Sequence, residues 1–285
     1  MWICPVCRQT LSPEQEISLI CPDGHSYDLA REGYVNLLQA NRKNSPLPGD
    51  SKEMIAARRR VHNTGLYQPL ALAIQEQLTF LTNPSPRILD LGCGEGHYCG
   101  SIQQALPAAS VFGVDISKAA VKLAAKSCPK GSFAVSSVFD VPLPDSSVDL
   151  VTSVFAPVDG RELSRLLKPE GLYLKVTPAP RHLWELRCLL YNHPKPHESD
   201  SPLIPGFESL VEADLDYTQD MSGAVLRDLV CMTPYAHRGQ RENREKLDKL
   251  REIRLQMNFH ISLQRYNSNV EIEATAPLIE APCLE

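Results

Sequence analysis

The sequence predicts an α/β protein with a doubly wound parallel sheet, preceded by a small cysteine-bearing domain. From about Pro69 onward, helical patterns alternate with short apolar runs, as they do in a parallel sheet covered by helices on both faces. A glycine-rich loop follows the first apolar run, and two cysteine-containing pairs lie near the amino terminus. The chain has 285 residues, 43% hydrophobic and 22% charged, so it can bury a large core. It has room for about two domains.

Charge and hydropathy exclude several classes of protein. The chain carries 29 basic and 34 acidic residues, a net charge of -5, so it lacks the overall basic character of a protein that coats DNA or RNA. We therefore expect no DNA partner and place any RNA contact on a local surface. The sequence has no apolar run of about 18 residues and no basic-then-apolar leader, which predicts a cytoplasmic protein without a membrane partner.

Four residues near the amino terminus have the spacing of a zinc site. Cys4 and Cys7 form a Cys-x-x-Cys pair, and Cys21 and His25 form a second pair. Two such pairs on two turns supply the four ligands of tetrahedral zinc, and a fully ligated ion is structural rather than catalytic. The alternative is a set of unliganded thiols beside a chance histidine. The remaining six of the nine cysteines are scattered, which favours packing residues over a disulfide framework.

Residues 41–66 are predicted to form a linker and a helix between the two domains. The linker is polar and contains proline and glycine, and Asp50 or Ser51 can cap the helix that follows it. Residues 40–62 carry six basic and two acidic residues, a local charge of +4 that includes Arg58–Arg60. This segment is the best local candidate for phosphate contact, and an ordinary solvated helix face explains its charges equally well.

Helices and strands alternate through the second domain. Leucines and isoleucine at helical spacing predict a first helix over residues 70–81. Five short apolar runs bounded by turn residues predict strands at Arg87–Asp90, Ser110–Asp115, Ser132–Ser136, Val148–Val154 and Leu172–Thr177. The patterns between them predict helices at Tyr98–Leu106, Lys118–Ser127 and Arg161–Leu167. A ligand of such a sheet binds beyond the carboxyl ends of its strands.

The loop after the first of these strands has the composition of a nucleotide-binding turn. Gly92, Gly94 and Gly96 let the backbone approach a ligand closely, and the next helix offers unpaired N–H groups. Asp115 ends the second strand, 23 residues after Gly92, where a carboxylate can accept hydrogen bonds from both hydroxyls of an adenosine ribose. A dinucleotide fingerprint needs a small residue at position 97, where His97 stands, so an NAD site is not expected.

The run Asp90–Gly96 resembles the first motif of the class I S-adenosylmethionine-dependent methyltransferases, in which an acid opens a GxGxG loop. Asp115 is similar to the ribose-binding acid of that family. Asp149–Val151 and Leu167–Gly171 look like its later strands and turn, with a glutamate where a glycine is usual. The resemblance spans roughly residues 87–177 and implies the class I methyltransferase fold, which is Rossmann-like, with S-adenosylmethionine as cofactor.

Segments outside that core, together with the zinc-ligand pattern, extend the likeness. These segments are Arg31–Leu38, Gly65–Leu70, Pro180–Leu186 and Met232–Tyr235. With them the chain resembles the large-subunit ribosomal RNA guanine-N1-methyltransferases of the RlmA type, over nearly the whole chain to about Tyr266. The resemblance implies methyl transfer to N1 of a guanine in a hairpin loop of 23S ribosomal RNA, carried out by a homodimer.

The same resemblance implies a division of the chain. Residues 1–40 would form the zinc-binding RNA-recognition domain and residues 67–267 the methyltransferase domain. The acidic tail at 268–285 lies outside the likeness, and we expect it to be disordered.

Eight residues are expected to bind the cofactor. The resemblance implies contacts from Tyr67, Gly96, His97 and His182, and the motif adds Asp90, Gly92, Gly94 and Asp115. Relatives carry an aromatic or another residue at position 97, so His97 is expected to make its contact through the backbone. Zinc is the second cofactor.

The sequence assigns no catalytic residue. Guanine N1 is protonated at neutral pH, so the reaction needs a base or a group that stabilises charge developing on the guanine. Asp140 and His182 are the candidates for a base, and contact with the cofactor is the alternative role of each. Phe155 and Tyr235 are candidates to stack on an unstacked guanine, although a core position is the commoner role of such residues.

Two charged segments complete the sequence analysis. Arg238–Arg254 reads as a helix with seven basic and four acidic residues, and it is a further candidate for phosphate contact. Pro196–Asp220 has seven acidic residues and no lysine or arginine, so we expect it to face away from RNA.

Two other functions remain open at this point. The chain could be an S-adenosylmethionine-dependent small-molecule methyltransferase whose structural zinc segment only supports the fold. It could also be a zinc-bearing RNA-binding or assembly protein with a decayed cofactor pocket. The intact loop Asp90–Gly96 and Asp115 argue against the second of these.

Overall fold

The amino-terminal residues form a small antiparallel sheet. The structure is a computed structural model that describes residues 2–39, 49–198, 203–233, 247 and 249–268. Strands β1 (Ser12–Glu14), β2 (Ser18–Ile20) and β3 (Ser26–Asp28) lie side by side in that order. Each is only three residues long, so this sheet buries little apolar surface of its own and needs other support to fold.

One eight-stranded sheet forms the rest of the framework. Its strands are β4 (Tyr34–Asn36), β5 (Arg87–Leu91), β6 (Ser110–Asp115), β7 (Ser132–Val135), β8 (Val148–Val154), β9 (Leu167–Pro178), β10 (Phe207–Ser222) and β11 (Glu252–Tyr266). They lie in the order β10-β11-β9-β8-β5-β6-β7-β4. Strands β4 to β9 pair in parallel, and β11 is antiparallel to both of its neighbours. The predicted parallel sheet is confirmed, and the strand order reverses direction next to β5, where ligands of such sheets bind.

The helices cover one face of this sheet more fully than the other. Those with described bounds are α1 (Lys52–Asn63), α2 (Gln68–Gln77), α3 (His97–Ala105), α4 (Lys118–Ser127), α5 (Gly160–Leu166), α6 (Trp184–Leu190) and α7 (Gly223–Cys231). Successive strand residues point to opposite faces, so Ile88 packs with Leu70 and Ile102 of α2 and α3. Its neighbour Leu89 packs with Leu163 of α5 on the other face. No helix within the described residues is long and apolar enough to span a membrane.

The amino-terminal segment completes the second face of the sheet. Trp2 packs edge-on against Phe112 of β6, with ring centroids 5.7 Å apart, and the backbone N–H of Ile3 donates to the carbonyl of Pro142 at 2.9 Å. β4 then enters the large sheet beside β7. The expected boundary at residue 40 therefore falls after a strand that belongs to the large sheet.

One predicted helix ends earlier than expected in the part that the structure describes. The predicted helix Arg238–Arg254 lies mostly outside the described residues; Leu247 and Lys249 are helical, and its last three residues open strand β11 instead. Ile253, Leu255 and Met257 recur at every second position, which is the period of a strand, and this apolar face packs into the core. The acidic tail at 268–285 lies outside the described residues apart from its first residue.

Candidate functional site

The four predicted zinc ligands come together at the tips of the amino-terminal turns. The ligand atoms of Cys4, Cys7, Cys21 and His25 all lie within 4.8 Å of one another. Cys7 Sγ lies 3.5 Å from Cys21 Sγ, and His25 Nδ1 lies 3.3 Å from Cys21 Sγ. Tyr27 Oη is 3.2 Å from Cys4 Sγ and supports that sulfur from outside the cluster. Three thiols and one imidazole fit tetrahedral zinc and fill all its positions, so the site is structural.

The glycine loop between β5 and α3 has a backbone that only glycine adopts readily. Gly92 and Gly96 have φ angles of 69° and 84°, in the left-handed region. A Cβ on Gly92 would meet the Ala156 side chain at 2.6 Å, and a Cβ on Gly96 would meet Ala124 Cα at 2.9 Å. The loop is therefore pressed between the segment that follows β8 and helix α4, and the N–H groups of Gly92 and Gly96 donate to the carbonyls of Val114 and Cys93 at 2.9 Å.

Asp115 lies at the end of β6, directly beside the glycine loop. Its carboxylate accepts hydrogen bonds from the backbone N–H groups of Ser117 at 2.7 Å and Gly94 at 3.0 Å. Burial raises the pKa of Asp115, and these two hydrogen bonds oppose that rise. A carboxylate has lone pairs for further hydrogen bonds, so Asp115 fits a ribose with two adjacent hydroxyls.

Asp90, predicted as a cofactor contact, is buried at the start of the glycine loop. It exposes only 2% of its surface, and its carboxylate accepts hydrogen bonds from Thr152 Oγ1 at 2.7 Å and Cys99 Sγ at 3.2 Å. Burial raises the pKa of Asp90 from 3.8 to about 6, although both hydrogen bonds favour the charged form. The side chain thus ties β5, β8 and α3 together underneath the loop.

Two of the three arginines in helix α1 that were predicted to contact phosphate pair with acidic residues of the protein. Arg58 pairs with Asp50 at 2.5 Å, and Arg60 makes a two-pronged pair with Asp228 of α7, at 2.6 and 2.8 Å. Ser51 is the residue that caps the helix, since its hydroxyl accepts from the N–H of Met54. Of the three arginines, only Arg59 is exposed to solvent without a pairing acid in the described residues.

A continuous row of aromatic rings forms a wall that begins directly after the glycine loop. His97 stacks on His62 with ring centroids 4.0 Å apart, and Tyr67 packs edge-on against His62 at 5.2 Å. Tyr67 in turn lies 5.9 Å from Phe259 of β11, whose ring lies 4.6 Å from His182. The structure therefore brings the predicted Tyr67, His97 and His182 into one wall.

Two histidines of this wall carry buried nitrogens without partners. His97 Nε2 and His182 Nδ1 are inaccessible to solvent and have no hydrogen-bond partner among the described residues. Burial is the main cause that lowers the pKa of His97 to about 4 and that of His182 to about 3. Both rings are therefore neutral near pH 7, and a ligand reaches either unpaired nitrogen only if the ring moves.

Glu95 joins the glycine loop to helix α1. Its carboxylate lies 2.5 Å from His62 Nδ1 and exposes little surface. The hydrogen bond from His62 lowers the pKa of Glu95 against the opposing effect of burial. Sequence reasoning missed this pair and also missed Phe259; the alternation of apolar residues along β11 was the one local signal for Phe259.

Phe155 follows β8 in a conformation that costs energy. Its φ angle is 58°, which is unfavourable for a residue with a Cβ, and it exposes 40% of its surface. The ring lies 6.1 Å from that of His182 and 5.9 Å from that of Phe259. The strained backbone presents an aromatic face to solvent at the edge of the site, as stacking on a base would require.

Asp140, the other candidate for a base, pairs with the zinc segment. Its carboxylate pairs with Arg8 of the zinc segment at 3.1 Å. This pair links the zinc segment to the loop after β7, so Asp140 is engaged in docking and is a poor candidate for the base. Tyr235, the other stacking candidate, lies outside the described residues.

The fold and this site define a class I S-adenosylmethionine-dependent methyltransferase with a structural zinc centre. Residues 88–171 match the family model described as "Methyltransferase domain". Residues 2–46 match the zinc-ribbon model described as "RlmA, N-terminal", and that range contains all four cluster residues.

Relatives that match this chain over most of their own length identify its family more closely. A 23S rRNA (guanine(748)-N(1))-methyltransferase of Streptomyces fradiae is 32% identical over 269 residues, which cover 90% of this chain and 95% of the relative. YxjB of Bacillus subtilis, whose name assigns it to the 23S rRNA (guanine-N(1)-)-methyltransferases, is 31% identical over 92% of this chain and 95% of its own length. A similarly named protein of Micromonospora griseorubida is 37% identical over 64% of this chain and 67% of its own. The chain belongs to the 23S rRNA (guanine-N1)-methyltransferase family.

Proposed function

We propose that this chain transfers a methyl group from S-adenosylmethionine to N1 of a guanine in a hairpin loop of 23S ribosomal RNA. The observation that carries the proposal is the four-ligand zinc cluster docked on a methyltransferase sheet in one chain. A full-length relative with both parts is named for N1 methylation of a 23S rRNA guanine.

The cofactor site follows from the geometry of the loop and its surroundings. When bound, S-adenosylmethionine supplies a methyl group activated by the sulfonium. Asp115 would accept hydrogen bonds from the ribose hydroxyls, the glycine loop would let the backbone approach the ligand closely, and the ring wall that begins at His97 would line the site beside the loop. The unpaired nitrogens of the two wall histidines, His97 and His182, hydrogen-bond to polar groups of the ligand once their rings move. His97 thus acts through its ring as well as its backbone, and Asp90 supports the loop from below.

Correct positioning of the guanine against the methyl donor supplies most of the rate acceleration. Phe155 stacks on the target base at the mouth of the site and holds N1 in line with the methyl donor. His182, whose pKa is lowered to about 3 by burial, is a hydrogen-bonding group and only a weak base at neutral pH. The departure of the N1 proton therefore depends chiefly on stabilising the charge that develops on the guanine.

RNA recognition is assigned to the amino-terminal part of the chain, residues 1–40, and the chemistry to residues 67–267. Arg31 and Arg59 are exposed, and Arg8 is partly exposed, so these are the side chains available for phosphates near the zinc segment. We further propose that the protein acts in the cytoplasm as a homodimer, with no DNA partner.

The test is a methyl-transfer assay with labelled S-adenosylmethionine and two acceptor pools: unmodified 23S rRNA, and a low-molecular-weight cell extract without RNA. Label in the RNA and none in the extract is the expected result. Label confined to small molecules would overturn the proposal in favour of a small-molecule methyltransferase. An Arg59→Gln variant is expected to raise the KM for RNA while leaving S-adenosylmethionine binding unchanged.

A further inference from the structure

Arg187 of α6 is a buried cation without a counter-ion in the described part of the chain. It exposes 4% of its surface, and its Nε and Nη1 atoms are buried with no hydrogen-bond partner among the described residues. The acid on the same helix, Glu185, accepts instead from the backbone N–H of Gln256 at 2.9 Å. A buried charge left unpaired is strongly destabilising, so such a group is normally matched by an anion.

Two histidines flank this guanidinium. The ring of His197 is hydrogen-bonded to the backbone of His182, and the two rings lie 6.2 Å apart. Burial first, and then the nearby positive charge of Arg187, lowers the pKa of His197 to about 4. Arg187 also contributes, after burial and His197, to the lowered pKa of His182. Neither neutral ring can serve as the missing anion, and His182 Nδ1 is itself buried without a partner.

Arg187 is linked to the methyltransferase site through His182. The ring of His182 contacts Phe259 of the aromatic wall at 4.6 Å and stacks beside Phe155 at 6.1 Å. Arg187 therefore lies immediately behind the residues that face the cofactor and the base to be methylated.

We propose that Arg187, with His182 beside it, binds an oxyanion brought by a ligand of the reaction, an inference that rests on the proposed function. Two ligands carry such a group: the carboxylate of the cofactor's methionine part and the phosphodiester of the target nucleotide. The planar guanidinium donates hydrogen bonds in a fork that matches either group. Because the anion arrives with the ligand, the ligand-free protein carries the unpaired charge, and that charge lowers its stability.

The experiment compares Arg187→Met with Arg227→Met, which makes the same change at an exposed position of α7. In the ligand-free, zinc-loaded protein, Arg187→Met is expected to raise the Tm by several degrees and Arg227→Met to leave it unchanged. Calorimetry then gives the Kd for S-adenosylmethionine and for a 23S rRNA hairpin fragment. Arg187→Met is expected to weaken one of these at least about tenfold, and Arg187→Lys to recover part of the loss.

Each outcome of these measurements either supports the proposal or overturns it. A weaker Kd for S-adenosylmethionine assigns the anion to the carboxylate, and a weaker Kd for RNA alone assigns it to the phosphodiester. A lower Tm or a failure to fold in Arg187→Met would overturn the proposal, because it would mean that Arg187 is satisfied within the protein. Both Kd values within twofold of the wild type would overturn it as well. If the wild type does not bind the RNA, the proposed function fails, while the Tm and cofactor measurements still decide the role of Arg187.

Discussion

Asp90→Asn is expected to stabilise the protein more at neutral pH than at acidic pH. Burial raises the pKa of this carboxyl from 3.8 to about 6. One pKa unit corresponds to about 1.4 kcal/mol, so the charged carboxylate costs the folded state about 3 kcal/mol. Below pH 3.8 the carboxyl is protonated in both the folded and the unfolded protein, so it does not destabilise the folded state. The cost grows as the pH rises between the two pKa values, reaches about half its full size near pH 5, and is complete above about pH 7.

The asparagine side chain removes that cost and keeps an oxygen to accept from Thr152 Oγ1. We expect the free energy of unfolding of Asp90→Asn, relative to the wild type, to increase by about 1.5 kcal/mol between pH 5 and pH 7.5. Urea denaturation of the zinc-loaded proteins at the two pH values measures it. Glu208→Gln, which changes an exposed carboxylate on β10, should show no such pH dependence. An equal difference at both pH values, or a decrease with rising pH, would refute the reasoning.

Three further predictions concern the loop, the metal and the cofactor. Gly96→Ala places a Cβ 2.9 Å from Ala124 Cα and should lower the free energy of unfolding by about 1–3 kcal/mol. Gly100→Ala is the control on helix α3, and because a Cβ there meets nothing within 4 Å it should be neutral or stabilising. Equal Tm values for the two variants would contradict the packing argument. Cys21→Ser should abolish zinc binding as measured by metal analysis of the purified protein, and an unchanged zinc content would remove Cys21 from the ligand set. Asp115→Asn should weaken S-adenosylmethionine binding by at least about tenfold in calorimetry, and an unaltered Kd would mean that the ribose lies elsewhere.

The elements around the loop could be predicted because their signals are local. The structure has Ser110–Asp115 and Val148–Val154 as strands and Lys118–Ser127 as a helix, with the predicted bounds. These strands are buried on both faces, so each is a compact apolar run that ends at a turn residue. The zinc ligands and the glycines likewise lie within short stretches of sequence, so the spacing of each set could be recognised from the sequence.

The β10–β11 pair could not be predicted in the same way. Its strands lie at the edge of the sheet and pair over 15 positions between distant parts of the chain, a contact that no window of sequence contains. The charged stretch before β11 also favoured a helix and concealed the alternation that begins at Ile253. Phe259, which joins the two ends of the ring wall, lies on this strand and was missed for the same reason.

The ion pairs that the arginines of α1 form with acidic residues are a second feature that could not be predicted from the sequence. Arg60 lies 168 residues from its partner Asp228, so the basic run at Arg58–Arg60 reads as a phosphate-binding surface until the partners are seen. Two of the three arginines instead fasten the helix beside the glycine loop. Arg187 gives no local signal either, because only the structure shows that it is buried and has no acidic partner among the described residues.

The most direct test of the central claim is the identity of the methylated nucleoside. Unmodified 23S rRNA is incubated with the protein and labelled S-adenosylmethionine, digested to nucleosides and analysed by mass spectrometry. We predict labelled 1-methylguanosine from the wild type and its loss in Asp115→Asn. A different methylated nucleoside, or no label in RNA although the protein binds S-adenosylmethionine, would contradict guanine-N1 methylation of 23S rRNA.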